Sequence, residues 1–166
     1  MPDDPRTDLV RRIEAARQRW HALAADVGEE RMELPGAMGP WTFKDVASHL
    51  TAWRRRTVQR VEAAGRDGSP PPPPWEADLG PAELEDDTIN DWIHERTADL
   101  PLSEVLTGVD PVFDAFAAAV MTVSPDAATE AGRFAWLDGE ALVDLDPGGH
   151  LAEHEPGVRR WLASLD

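Results

Sequence analysis

Apolar residues recur at helical spacing through most of this chain, and that periodicity narrows the fold to a helical one. From Leu9 the series Ile13, Ala16, Trp20, Leu23 and Val27 advances by alternating steps of four and three, one stripe down one side of a helix. Gly28 stands where such a helix would stop. His21 falls beside the stripe and reads as a partly exposed residue.

A second helix is punctuated at both ends. In "GPWTFKDVASHLTAWRRRTVQRVEAAG" Thr42 suits an N-cap, and Asp45 at the third helical position completes a capping-box variant. Trp41 and Val46 suit the hydrophobic staple around it. The stripe runs Phe43, Val46, Leu50, Trp53 and Val61, and Gly65 ends it. His49 lies on this inward face, between Val46 and Trp53.

Residues 66–82 read as a linker, because Pro70–Pro74 exclude helix and favour extended polyproline II. Trp75 is expected to pack at the bundle rim. Helical pattern returns with Ile89, Trp92, Ile93 and Arg96, with His94 at the periphery. It continues through Val105, Val109, Val112, Phe116 and Val120, where Pro111 should kink or divide the helix. Residues 124–145 read as an extended or short helical connection. A last helix is expected from an N-cap at Asp146 with Pro147 at the first position, turning His150, His154, Val158, Trp161 and Leu165 inward. The pattern predicts an all-α fold, a bundle of about four main helices in one domain spanning 1–166.

Composition narrows the function. A net charge of −16 repels phosphate backbones, which argues against nucleic-acid partners. The acids of "MPDDPRTDLVRR" do not suit a signal peptide, and "VFDAFAAAVMTV" is too short to span a bilayer and carries Asp114. A cytoplasmic protein without membrane partners is expected. With no cysteine, any metal must rest on histidine and carboxylate.

His150 and His154, one helical turn apart, can share an ion, and His49 on another inward face could supply a third ligand. Two imidazoles turned inward without partners would be costly. Three neutral imidazoles with open positions suit zinc, nickel or iron(II). The same stretch matches H-x-x-E-H, with Glu153 as a general base. Only Glu155 and Asp166 follow as carboxylates, and neither sits on a second helix, so the inverted zinc-protease reading is poor.

The segment "GPWTFKDVASHLTAWRRR" resembles the second-helix signature of the DinB/YfiT superfamily: a tryptophan, a Lys-Asp pair and a His-Leu pair ahead of an aromatic residue. "INDWIHERTADLPLSEVL" and "HLAEHEPGVRRWL" are similar to its ClbS/DfsB branch, and the likeness runs over nearly the whole chain. The resemblance implies a four-helix bundle of up-down-down-up topology, with His49, His150 and His154 as ligands of a divalent ion at one end. It also implies either a thiol-dependent isomerase or transferase, or a hydrolase. Three features depart from the pattern, the first being that the chain has no tyrosine, so no phenol is available near the site. Arg54, Arg55 and Arg56 follow Trp53, where an acidic or mixed stretch is expected, and Pro156 should tilt the ligand helix by removing the hydrogen bond to Ala152.

Three functions therefore compete. The first is a metal-dependent enzyme, zinc being the first choice, acting on a small-molecule substrate. In it Asp45 or Glu153 would orient a ligand or take a proton, although an N3 cap and a solvated face are the plainer roles. Arg54 could face an anionic substrate, but reads better as a surface arginine. The second is a ClbS-like self-resistance protein that sequesters small molecules in a pocket lined by Trp41, Trp53 and Trp92, with little need of metal. The third is a bundle that keeps its histidines without catalysis and acts as a homodimer.

Overall fold

The computed structural model describes residues 4–80 and 84–166, so positions 81–82 of the expected linker and the first three residues of the acidic start lie outside the described residues. The structure is mainly helical, as the periodicity predicts. Its helices are α1 (Pro5–Val27), α2 (Phe43–Gly65), α3 (Asp86–Thr97), α4 (Leu102–Thr107), α5 (Val109–Thr122), α6 (Pro125–Thr129) and α7 (Gly149–Leu165). A two-stranded antiparallel hairpin, β1 (Pro35–Met38) with β2 (Trp41–Thr42), comes between α1 and α2 and has no counterpart in the sequence reading.

The first two helices follow their stripes. Every stripe residue of α1, from Leu9 to Val27, is buried, Asp4 caps the start and Gly28 the end. In α2 the capping box forms as expected: Thr42 Oγ1 accepts from the Asp45 backbone N–H at 3.1 Å, and Asp45 Oδ2 accepts from the Thr42 N–H at 2.9 Å. Trp20 of α1 stacks flat on Phe43 at the start of α2, with ring centroids 5.0 Å apart. At the far end Gly65 is a contact point as well as a terminus. A Cβ there would lie 2.0 Å from Thr122 Oγ1 of α5, so only glycine lets the two helix ends approach.

Gly108 separates α4 from α5, and Pro111 is the third residue of α5. Its missing N–H is one that a first helical turn leaves without an intrahelical partner, so Pro111 divides nothing itself. By length and composition alone Leu102–Thr122 could cross a membrane. Its apolar side chains Val109, Val112, Phe113, Phe116 and Val120 are instead buried, and α5 packs against α1 and α2.

Lys44, the chain's single lysine, is 8% exposed, and its ammonium donates to the carbonyls of Ala98 (2.9 Å) and Leu100 (3.1 Å) and pairs with Glu33 (3.1 Å). It thereby ties the start of α2 to the end of α3.

Trp75 and the start of α7 differ from expectation. Trp75 does not sit at the rim: it is 4% exposed and forms a second small core with Ile89 and Ile93, against Trp53 and Trp92. Pro70–Pro74 has no regular secondary structure and delivers this indole onto the α2–α3 seam, covering two isoleucines. Of the two forms expected for the connection over 124–145, the short helical one is present, as α6 and two short 3-10 turns, Ala135–Leu137 and Leu142–Asp144. Finally, α7 begins at Gly149, with Asp146 Oδ1 accepting from the Gly148 N–H at 3.0 Å before the helix starts.

The buried stripe of α7 is Leu151, Glu155, Val158 and Trp161, while Leu165 is 42% exposed. At its N-terminal half the inward side is thus rotated by one residue, about 100°, from the expected one. His150 and His154 are half-buried on the flank. The rotation is satisfied by charge: the buried Glu155 carboxylate accepts from Arg19 of α1 and from Arg159. Burial pushes the Glu155 carboxyl up, but the hydrogen bonds from Arg159 and Arg19 outweigh it and hold it below its ordinary range. Pro156 is exposed and α7 runs through it. The hairpin fixes the other end of α7, since Trp161 Nε1 donates to the Pro35 carbonyl at 3.0 Å. Gly36, at φ +115°, leaves room for that indole, which a Cβ would meet at 2.7 Å.

Candidate metal centre

His49 comes from the second turn of α2 and is 3% exposed; His150 and His154 come from the first turns of α7. Their Nε2 atoms converge. His49 Nε2 lies 2.9 Å from His150 Nε2 and 3.2 Å from His154 Nε2, and one nitrogen from each ring falls within 4.8 Å of the others. The rings meet edge to face, at 70° and 81° to His49.

This is the arrangement a shared ion needs. Nitrogens bound at about 2.0–2.1 Å to one tetrahedral or octahedral ion stand roughly 3 Å apart. Without an ion, one proton can satisfy a pair of facing ring nitrogens, while three nitrogens aimed at one point leave lone pairs opposed. The electrostatics agree. Burial, then the neighbouring His150 and His154, lower the His49 pKa to about 3. Burial, then His154 and Arg54, lower that of His150 to about 4. Burial lowers His154 as well, partly countered by Glu153. All three are therefore neutral at pH 7, the form that ligates. His49 Nδ1 is buried without a hydrogen-bond partner, so the carboxylate that often orients a ligand imidazole is missing from the described residues here.

The histidines open onto a cleft of about 510 Å³ between α2, α3 and α7. Trp53 lines it, its Nε1 donating to Asn90 Oδ1 of α3 at 2.9 Å. Glu153 is exposed at its mouth. Arg54, read from sequence as a surface residue, is half-buried in the cleft wall with its guanidinium 3.9 Å from the centre of the Phe113 ring.

The other singled-out residues lie away from the cleft. Asp45 is buried in the capping box, and its Oδ2 also stands 3.6 Å from His94 Nε2. His94 stacks flat on Trp41 (4.8 Å, 6°), and Trp41 meets His49 edge to face at 5.8 Å. The peripheral His94 of the sequence reading thus joins a chain of contacts, Asp45–His94–Trp41–His49, behind the ligand. Trp92 is half-buried against Trp75 rather than in the cleft, its Nε1 donating to Asp78 with Arg96 over its ring. Asn90 has no counterpart in the sequence reading, and Arg54, for which a surface position reads better there, lines the cleft. The one signal for Arg54 was its place four residues after Leu50, at the edge of the apolar stripe.

Neither a protein-family model, nor a curated protein, nor a solved structure matches the chain.

Proposed function

We propose that this protein is a metal-dependent enzyme acting on a small molecule, of the DinB type that its sequence resembles. The observation that carries the reading is the convergence of the Nε2 atoms of His49, His150 and His154, from two helices, at the wall of a cleft. These three residues would hold one divalent ion, zinc first, with nickel and iron(II) as the other candidates. A bound ion supplies Lewis acidity beside the cleft. His49 is locked in the core and sets where the site lies. Trp53, tied to Asn90, offers a flat apolar wall to a substrate. Glu153, at the mouth, is placed to take or return a proton; Asp45 acts at a distance, through the capping box and His94. Hydrolysis and thiol-dependent transfer or isomerisation are the reaction classes of this reading. Its fold is the up-down-down-up bundle, with α1, α2, α5 and α7 as the four members. The net charge of −16 supports a soluble cytoplasmic role away from nucleic acids and membranes.

Calorimetric titration of chelator-treated protein tests the reading. One equivalent of zinc should bind the wild type tightly, and His49→Ala and His154→Ala should each abolish the tight site. A wild type without a tight site, or either variant binding as well as wild type, rejects the metalloenzyme.

The aromatic lining supports a second reading, a ClbS-like resistance protein that sequesters an aromatic small molecule without metal. Metal-free protein that binds such ligands through Trp53 would favour it. A homodimer is compatible with both.

A further inference from the structure

Most half-buried arginines in this fold are held by carboxylates or carbonyls; Arg60, stacked over Trp136, is an exception that lies outside the histidines' cleft. Arg6 is hydrogen-bonded to Asp4, Arg12 to the carbonyls of Val143 and Leu145, Arg17 to Asp114, and Arg19 and Arg159 to Glu155. Arg54 also departs from this pattern, and it does so inside the cleft. Its guanidinium is half-buried, stacks on Phe113, and has no hydrogen bond or ion pair among the described residues. Burial lowers its pKa to about 10, which still leaves it charged at neutral pH. A desolvated cation with its forked donors unused is normally matched by a carboxylate or phosphate. Here the fold supplies none, and the residue lines the same cleft as the three histidines.

The distribution of acids limits what the anion can be. Asp86, Asp87, Asp146 and Glu153 also line the cleft, and all four are exposed at its mouth. They repel a polyanion before it enters. A single small charge, once inside, meets the guanidinium and the imidazoles, the uncharged side chains of Thr57 and Asn90, and apolar walls from Leu50, Trp53 and Phe116.

We infer that Arg54 is a substrate-binding residue that receives one carboxylate group of a small, partly apolar or aromatic molecule, beside the three histidines. The inference rests on reading the cleft as a substrate site, but it does not require the ion. Phosphorylated and multiply charged molecules are excluded from this class by the acidic mouth.

Benzoate and its neutral counterpart benzamide are the probes, titrated into zinc-loaded and into chelator-treated protein and followed by tryptophan fluorescence. Benzoate should bind, benzamide at least about tenfold more weakly, the loss expected when one charge-assisted contact goes. Arg54→Gln should lose about tenfold or more for benzoate while binding zinc as well as wild type, and Arg54→Lys should fall between. Equal binding of the two probes, equal binding by Arg54→Gln, or no benzoate binding in either form overturns the inference. Zinc binding is scored separately. A protein that binds no zinc yet binds benzoate through Arg54 refutes the metal reading and leaves this one standing. Should Arg54→Gln fail to fold, the wild type decides alone: benzoate must protect Arg54 from phenylglyoxal, read by peptide mass spectrometry, and unprotected modification overturns the assignment.

Discussion

His49 and His150, far apart in the chain, bring their Nε2 atoms to 2.9 Å of each other where α2 meets α7. An ion held there would join two helices that otherwise meet through side-chain packing. Saturating zinc, at about 100 times its dissociation constant, should then stabilise the metal-free protein by about 2.7 kcal/mol. For a chain of this size that is a rise of roughly 5–10 °C in melting temperature. His49→Ala should abolish the rise, and an unchanged rise in that variant would place the ion elsewhere.

The depressed histidine pKa values set a pH dependence whose sign is fixed. Unfolded histidine titrates near about 6.5, whereas His49 and His150 titrate at about 3 and about 4 in the fold. Between those limits the unfolded chain binds more protons. Stability of the metal-free protein should therefore be level above about pH 6.5 and fall below it, by up to about 1.4 kcal/mol per pH unit for each histidine. Urea denaturation at pH 5 and 7.5 measures this. The same shifts bear on metal release, which for ordinary imidazoles would set in near about pH 6.5. Release from the folded protein should instead come nearer pH 4, and zinc titrations across pH 4–7 would show it.

Glu155 is the buried carboxylate of α7, clasped by Arg19 and Arg159. Glu155→Leu should cost on the order of 1–3 kcal/mol, since it strips two arginines of their partner and loosens α7 from α1. Zinc stoichiometry should survive, because Glu155 points away from the histidines' cleft. Denaturant midpoints and metal analysis on the same sample separate the two effects.

The proline run and the tryptophan after it should respond oppositely to mutation. Replacing Pro70–Pro74 with an equal length of Gly and Ser should leave the fold intact, because the run has no regular secondary structure and its ties, Arg56 to the Pro71 carbonyl and the Glu76 N–H to the Pro73 carbonyl, use backbone oxygens that any residue supplies. Trp75→Ala should cost about 3–5 kcal/mol, the usual loss for emptying a buried indole site. Thermal melts of both variants check the contrast.

What could be read from the sequence follows from where the signal is local. The stripe of α1 and the capping box of α2 rest on spacings of three and four residues, and both appear as read. So does the inward placement of His49. The register of α7 is not legible in the same way, because His150 and His154 fit an apolar spacing while the inward position is held by an acid, Glu155. Glu155 is buried only because Arg19, on another helix, reaches it. Trp75 was misplaced for a similar reason: nothing local says that Ile89 and Ile93 need a cover. Arg54 was hidden in a run of three arginines, where sequence cannot tell the one facing a cleft from those facing water.

One feature of the core has a practical use. The only amine carried by a side chain in this protein belongs to Lys44, and it is sealed under two carbonyls at the α2–α3 junction. Acylating reagents should leave it untouched until that junction opens. The rate at which Lys44 becomes acetylated would then count openings directly, a built-in clock for the part of the bundle that carries His49.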